Sequence, residues 1–130
     1  LTESPLGQAD LRIAGEYVDL FDASLPVLRD PLLQPGQAGL FYDLAKAPPA
    51  PAVIAAAGRV EQMTWGSSGV ELLVACPSRV DGLLLCKLAS RPEKVTLGGQ
   101  PSPDWTWDEI HSLARIPYAG NPEGTRIELR

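Results

Sequence analysis

Prolines and glycines divide this sequence into short apolar segments, and that division restricts the fold more than any other feature. The chain contains 12 glycines and 13 prolines among its 130 residues. Proline breaks helices and glycine weakens them, whereas strands of about five residues fit between such breaks. Hydrophobic residues make up 45% of the chain, so these short segments can still build a core. The pattern therefore predicts an all-β protein with frequent turns.

The spacing of the apolar segments predicts about nine short strands in a two-layer antiparallel β-sandwich, immunoglobulin-like or jelly-roll-like. We interpret residues 1–10 as a linker segment and residues 11–130 as a single sandwich domain. Because the chain starts at Leu1 with neither an initiator Met nor a signal peptide, we expect it to be a fragment of a longer protein. The strand segments fall in residues 11–13, 17–21, 25–28, 40–44, 53–65, 70–76, 83–88, 94–97, 104–108, 113–116 and 125–130, of which 25–28 is an edge strand or a loop because it contains Pro26.

Turn residues predict how several of these strands connect. Residues 66–69 (Gly-Ser-Ser-Gly) predict a turn between strands, and residues 78–82 predict a second one. Gly98-Gly99 predicts a two-residue hairpin loop, because both positions tolerate positive φ. The proline-rich residues 48–51 predict a segment that crosses from one sheet or sub-region to the next.

The two cysteines allow two interpretations. If residues 80–82 form a three-residue hairpin loop, Cys76 lies opposite Cys86 and a disulfide is feasible. The alternative is a pair of reduced, buried thiols that pack as small hydrophobic side chains. We favour the second, because strand register cannot be determined reliably from sequence.

Residues 107–115 also fit two secondary structures. A helix would have Asp108 as its N-cap, a stripe of apolar residues, and Pro117 just after its end. A strand–turn–strand fits the neighbouring hairpins better, and it is our prediction. In it, Trp105 and Trp107 belong to one strand and lie on the same face.

Composition excludes several classes of partner and cofactor. The net charge of −5, without clusters of Lys or Arg, argues against nucleic-acid binding. No apolar run approaches the roughly 18 residues that a membrane helix needs, so no membrane partner is predicted. A single histidine and two separated cysteines do not complete a four-ligand zinc site. We predict neither a metal site nor a cofactor.

The last third of the chain carries a distinctive order of motifs. Lys94-Val95-Thr96-Leu97 precedes Gly98-Gly99, Trp105-x-Trp107-Asp108 follows, and the segment ends in Arg126-Ile127-Glu128-Leu129. This order resembles the C-terminal β-sandwich accessory domains of bacterial multidomain glycoside hydrolases. Residues 15–21 and 33–36 are similar to the first strands of such domains. The resemblance implies a non-catalytic sandwich that packs against a catalytic barrel, and some domains of this kind bind carbohydrate.

Four aromatic residues are candidates for carbohydrate binding, because a flat ring stacks on the apolar face of a sugar. The same residue types also carry much of the burial free energy in a core, which is the competing interpretation of the paired tryptophans. The candidates are Trp65, Trp105, Trp107 and Tyr118.

Two groups of acidic residues contain residue types that suit acid/base catalysis or calcium binding. Asp104, Asp108, Glu109 and His111 are the only group that resembles an acid/base cluster. Adjacent strand residues point to opposite faces, so we predict a polar turn with a solvated histidine and no catalytic residue. Asp19, Asp22, Asp30 and Asp43 would suit calcium by residue type, but their default role is turn formation.

These observations lead to three functional hypotheses. The first is a non-catalytic accessory domain that docks on a neighbouring domain of the same chain in a carbohydrate-active protein. The second is a carbohydrate-binding module that uses surface aromatics. The third, a small independent hydrolase, is disfavoured because the sequence offers no convergent titratable groups.

Overall fold

The computed structural model describes residues 2–3, 11–34, 36, 38–56, 59–66, 69–78, 80–102 and 104–130. Within these ranges the chain forms antiparallel strands, one short 3-10 helix and no α-helix, which confirms the predicted all-β class. No helix in the described ranges has the length and apolar character needed to cross a membrane.

The chain divides into two compact units, Leu1–Ala47 and Pro48–Arg130. The division falls at the proline-rich segment, where a crossing segment was predicted. Each unit contains its own sheets. The prediction of one domain over residues 11–130 remains a prediction.

The N-terminal unit is built from very short strands. They form two two-stranded sheets (β1 with β6, β2 with β5) and one three-stranded sheet in the order β4-β3-β7. Pro26 directly precedes β4, which lies at an edge of its sheet, as the edge-strand interpretation of this segment requires. The strands are β1 (Thr2–Glu3), β2 (Leu11–Arg12), β3 (Glu16–Asp19), β4 (Val27–Arg29), β5 (Leu32–Leu33), β6 (Ala38–Gly39) and β7 (Phe41–Asp43), followed by the 3-10 helix Leu44–Lys46.

The C-terminal unit is a two-layer antiparallel sandwich. One layer has five strands in the order β13-β12-β16-β10-β9, and the other has four in the order β14-β15-β11-β8. About nine strands were predicted for residues 11–130, where the described ranges contain fifteen, nine of them in this unit. Its strands are β8 (Ala52–Ala56), β9 (Arg59–Gly66), β10 (Gly69–Ala75), β11 (Asp81–Lys87), β12 (Val95–Leu97), β13 (Gln100–Pro101), β14 (Thr106–Asp108), β15 (Leu113–Ala119) and β16 (Thr125–Leu129).

The core of the sandwich takes alternate side chains from both layers. Leu72 and Ile127 come from the five-stranded layer, and Leu84 and Ile116 from the four-stranded layer, all at most 1% exposed. Because strand side chains alternate between faces, residues between these positions point away from this core. Ile127 and Leu129 point inward as the alternation in residues 125–130 predicted.

Two predicted hairpins are confirmed. β9 and β10 pair antiparallel on either side of residues 67–68, which lie outside the described residues. β12 and β13 pair around Gly98 and Gly99, with Leu97 opposite Gln100. The φ angles of these glycines are 59° and 83°, so the loop uses the positive φ for which glycine was expected.

The predicted hairpin between residues 70–76 and 83–88 is wrong. β10 pairs with β9 and β16, whereas β11 pairs with β15 and β8 in the other layer. The turn at Pro77–Val80, closed by a 3.0 Å hydrogen bond, therefore connects the two layers. In the same way, residues 53–65 form two strands in different sheets instead of one continuous strand.

This topology determines where the two cysteines lie. Cys76 and Cys86 are both free and buried, and both belong to the sandwich core. The interpretation as reduced thiols that pack as small hydrophobic side chains is confirmed.

The strand–turn–strand prediction for residues 107–115 is also confirmed. β14 and β15 pair antiparallel, with Asp108 opposite Leu113. Ser112 closes the turn at a φ of 57°, a left-handed conformation that a helix cannot contain.

Candidate functional site

The structure does not gather the four predicted aromatics on one surface. Trp105 and Trp107 are half-buried and pack against the sandwich core, which confirms the competing core interpretation for this pair. The Trp105 ring also lies 5.2 Å from the Arg91 guanidinium, and the Trp107 indole nitrogen donates a 2.6 Å hydrogen bond to Glu109. Both rings are therefore held in place by local contacts.

Tyr118 and Trp65 differ sharply in exposure. Tyr118 is 4% exposed and belongs to the core, and burial raises the pKa of its hydroxyl to about 12. Trp65, in contrast, is 58% exposed near the end of β9, in the other layer of the sandwich. Of the four candidates, Trp65 is the one whose side chain is mainly available to a ligand in solution.

Trp65 lines a cavity of about 150 Å³ where β9, β10 and the end of the chain meet. Cavities of this volume hold a molecule about the size of benzene, hence about one six-membered ring. The cavity is lined by Thr64, Trp65, Gly66, Gly69, Val70, Glu71, Glu128 and Arg130.

Strand register brings the polar residues of this cavity together. Thr64 lies opposite Glu71, and Glu71 lies opposite Glu128, so the three residues form a row across β9, β10 and β16. Neighbours in such a row have Cβ atoms about 5 Å apart. Since Val70 and Leu72 point into the core, Glu71 between them points to the outer face of the sheet.

Each carboxylate of the row is paired with an arginine. Glu71 forms an ion pair with Arg126, and Glu128 accepts hydrogen bonds of 3.3 and 3.2 Å from Nε and Nη2 of Arg130. The backbone of Arg130 is held by Lys94, with its N–H donating at 2.9 Å to the Lys94 carbonyl oxygen. The two carboxylates and two guanidinium groups balance in charge.

This arrangement has the components of a polar recognition site. On the outer face of the sheet the guanidinium groups are donors and the carboxylates are acceptors. The exposed Trp65 indole, opposite Val70, offers a flat apolar surface on the other face. Sequence analysis found Trp65 but not Thr64, Glu71, Glu128 or Arg130. Their outward positions could have been deduced from the alternation within each strand, but their proximity depends on the pairing of β10 with β16.

The turn between β14 and β15 contains Asp108, Glu109 and His111, for which a polar turn was predicted. Asp108 Oδ1 accepts hydrogen bonds from the backbone N–H groups of Ile110 and His111, and its Oδ2 lies 2.7 Å from His111 Nδ1. Burial raises the pKa of the Asp108 carboxyl, but the bonds from His111 and Ile110 outweigh it and hold that pKa below its ordinary value. The polar-turn prediction is confirmed. The histidine, however, is partly buried against Asp108, with a side chain 18% exposed, instead of solvated.

The candidate aspartates of the N-terminal unit accept hydrogen bonds from backbone N–H groups, in three cases within a local turn. Asp19 accepts a hydrogen bond from the Phe21 N–H at 3.0 Å, Asp30 one from the Gly15 N–H at 2.7 Å, and Asp43 one from the Ala45 N–H at 3.0 Å. Asp22 bonds both the backbone N–H and the hydroxyl of Ser24, and these bonds lower the pKa of its carboxyl. The turn-forming interpretation is therefore confirmed for Asp19, Asp22 and Asp43, whereas Asp30 bonds a residue distant along the chain. Within the described part of the chain, no group of three or more His, Cys, Asp or Glu residues is arranged to hold a metal ion.

The comparisons with known proteins assign the chain to no family. No protein-family model matches the chain, and no significant match is found among the curated proteins or the solved structures. What the chain does must therefore be argued from the all-β sandwich and from the site at Trp65.

Proposed function

We propose that this chain is a non-catalytic accessory domain of a carbohydrate-active multidomain protein, and that it binds neutral carbohydrate at the Trp65 cavity. The observation that carries the proposal is the indole of Trp65, which is 58% exposed at the end of β9 and lies opposite Val70, and therefore on the other face of the sheet from the row of Thr64, Glu71 and Glu128. An exposed indole stacks on the C–H face of a sugar ring. The resemblance of the last third of the chain to glycoside hydrolase accessory domains points to the same class of ligand.

The charge balance of the cavity favours a neutral ligand. Glu71 and Glu128 are each neutralised by an arginine, so the site has no excess charge to attract a uronate or a sulfated sugar. The net charge of −5 on the chain further disfavours anionic polymers.

Affinity electrophoresis and calorimetry with soluble glucans, xylans, mannans and galactans test the proposal. We expect one of these neutral polymers to retard the protein, and we expect Trp65→Ala to abolish the retardation. Phe21→Ala provides a matched control, because Phe21 is a similarly exposed aromatic (61%) in the N-terminal unit. If none of the four polymers binds, or if Phe21→Ala weakens binding as much as Trp65→Ala, the proposal is overturned.

Docking on a neighbouring domain is the second candidate role, and Ile110 favours it. This side chain is 86% exposed at the β14–β15 turn, where Asp108 fixes the backbone through the Ile110 and His111 N–H groups. An apolar side chain presented on a well-fixed turn can anchor an interface. We expect Ile110→Asp to lower the melting temperature of the longer chain that includes the neighbouring domain, and not that of this chain alone. An equal effect on both would contradict docking through Ile110.

A further inference from the structure

β9 forms a long free edge of the five-stranded layer. Among the described residues, this strand (Arg59–Gly66) has a hydrogen-bonded neighbour on one side only, β10. A long exposed edge strand is a template for pairing with another chain. The opposite edge of the same layer is protected, because β13 has two residues and ends in Pro101, which has no N–H to donate.

Only the first half of β9 carries the features that usually prevent such pairing. A β-bulge leaves Glu61 without a partner on β10, and Glu61 forms an ion pair with Arg59 there. Residues 62–66 (Gln-Met-Thr-Trp-Gly) are uncharged and keep a regular register. Four of these five residues are exposed, and Met63 is half-buried. The second half of β9 is therefore an unprotected edge.

The register shows which backbone groups of this half face outward. Gly66 pairs with Gly69 with only residues 67–68 between them, and such a turn closes with a pair that exchanges both hydrogen bonds. Bonded and non-bonded pairs then alternate along the ladder, so Trp65 and Met63 direct their N–H and C=O groups away from β10. In the part of the chain that the structure describes, these four groups have no backbone partner.

The unprotected half is complementary to itself. When two copies pair antiparallel about a two-fold axis at Thr64, each Trp65 stands opposite Met63 of the other copy. Both side chains lie on the core-side face of the sheet, because their partners on β10 are Val70 and Leu72. The outward backbone groups of Trp65 then meet those of Met63, so the pairing makes four hydrogen bonds and sets no charge opposite another.

We propose that two copies of this chain associate through residues 62–66 of β9, with Thr64 opposite Thr64, so that the two five-stranded layers join into one ten-stranded sheet. The occupant of the free edge is a second copy because the segment matches itself in its backbone donors and acceptors, in its apolar side chains and in its lack of charge. Such a two-fold contact uses the same surface on both copies. It also gives a partner to Trp65, which is 58% exposed.

The pairing adds a residue of the second copy to the candidate site. The two Trp65 side chains become diagonal neighbours on one face of the joined sheet, with about 7–8 Å between their Cα atoms. Two indoles at this spacing extend the flat surface on which a neutral carbohydrate stacks. This consequence rests on the proposed carbohydrate-binding function, whereas the association of the two copies does not.

Sedimentation velocity of the whole chain, from about 1 μM to about 1 mM, tests the association. We expect a dimer whose fraction rises with concentration. Thr64→Lys should raise its dissociation constant about tenfold or more at low ionic strength, because two like charges then lie directly opposite each other. In the single copy the new side chain lies opposite Glu71, so the fold itself gains no like-charge contact.

Gln62→Lys is the matched control, because Gln62 is an exposed, uncharged residue of the same edge that stands opposite Gly66 of the second copy. It should raise the dissociation constant by less than about threefold. A chain that stays monomeric up to about 1 mM, or equal effects of the two lysine variants, would overturn the inference.

Cysteine cross-linking tests the register. Thr64→Cys sets two thiols at directly opposite, non-hydrogen-bonded positions, where Cα atoms are about 4.5 Å apart and a disulfide fits. Gln62→Cys sets its two thiols four residues out of register, too far apart to bridge. With oxidised glutathione we expect a covalent dimer from Thr64→Cys and none from Gln62→Cys. The buried Cys76 and Cys86 are common to both variants.

The outcomes separate this inference from the proposed function. If Thr64→Cys cross-links no faster than Gln62→Cys, the proposed pairing is overturned while carbohydrate binding stands. If the dimer forms with the expected register and none of the neutral polymers binds, the association through β9 stands and the proposed function alone fails.

Discussion

Glu71 and Glu128 lie directly opposite each other on neighbouring antiparallel strands, and each is paired with its own arginine. Two like charges in this position destabilise a sheet unless they are neutralised. The arginines therefore contribute to the fold as well as to the candidate site.

Replacing Arg126 by methionine should reveal the repulsion between the carboxylates of Glu71 and Glu128. The variant keeps much of the apolar stem of the side chain but leaves Glu71 unpaired beside Glu128. We expect a loss of about 0.5–1 kcal/mol in the free energy of unfolding at low ionic strength, since exposed ion pairs contribute about that much. Urea denaturation followed by circular dichroism provides the measurement.

The double variant Arg126→Met/Glu71→Gln tests the cause. It removes the unpaired carboxylate, so most of the lost stability should return. High salt should also reduce the cost of the single variant, because it screens exposed charges. A cost that is the same at low and high salt would show that packing of the arginine stem, and not charge, explains the effect.

Two glycines at the β9–β10 turn provide a matched pair for a stability prediction. Gly69 has a φ of 135°, and a Cβ there would collide with the carbonyl oxygen of Leu129. Gly66 lacks both restrictions, and a Cβ there would point into open space. We expect Gly69→Ala to cost about 1–3 kcal/mol of unfolding free energy and Gly66→Ala to change it by less than about 0.5 kcal/mol. Thermal denaturation of the two variants measures this difference, and equal melting temperatures would contradict it.

The sequence predicted those parts of the fold that depend on local chemistry. Gly98-Gly99 specified its hairpin because each position needs positive φ, and residues 125–130 showed their inward face by alternation. The connection from β10 to β11 was predicted wrongly, since turn residues show that the chain reverses but not which layer it enters. Here both sides of β10 are taken by β9 and β16, so β11 pairs in the other sheet.

The candidate site was predictable only in part, for the same reason. Trp65 could be singled out by residue type, because a large aromatic is suited to stacking. Glu71 and Glu128 are distant in sequence, and only the register of β10 with β16 brings them together. The paired tryptophans show the reverse limit, because residue type alone does not distinguish a ligand-binding ring from a core ring. Trp105 and Trp107 were candidates by type, but the packing of the four-stranded layer places them against the core.

The Asp108 turn should lose stability in acid. Hydrogen bonds in the folded state hold the pKa of Asp108 below its ordinary value of 3.8. A carboxyl with a lowered folded pKa stabilises the protein above its unfolded pKa, and this contribution disappears as pH falls through the folded value. We expect Asp108→Asn to cost about 1 kcal/mol at neutral pH and to flatten the stability profile below pH 4 or so.

Chemical denaturation across a series of acidic pH values measures this effect. Asp104→Asn is the control, because Asp104 is an exposed carboxylate just before Trp105. That variant should keep the acid slope of the unsubstituted chain. If Asp108→Asn also keeps it, the hydrogen bonds at the turn do not contribute to acid stability.

The buried thiol of Cys86 should make the sandwich sensitive to alkali. Burial raises the pKa of Cys86 from 9.0 to about 12. A group whose folded pKa is raised contributes stability that is present below its unfolded pKa and is lost as pH rises toward the folded value. The unfolding free energy should therefore fall between pH 9.0 and about pH 12, by up to about 1.4 kcal/mol per pH unit from this group. Tyr118, whose pKa is raised from 10.0 to about 12, adds to the fall above pH 10.0.

The Cys86→Ala variant distinguishes the contribution of the Cys86 thiol to the alkaline loss of stability from that of Tyr118. The variant has a lower unfolding free energy at every pH because the substitution leaves a small cavity. It also removes the thiol contribution to the pH dependence of that free energy. The decline in unfolding free energy should therefore begin only near pH 10.0, where Tyr118 starts to contribute. Leu84→Ala creates a cavity on the same strand and keeps the thiol, so its slope should match that of the unsubstituted protein. Urea midpoints measured across this pH range under reducing conditions give the three slopes. If the Cys86→Ala slope below pH 10.0 equals the Leu84→Ala slope, the alkaline loss of stability does not come from the buried thiol.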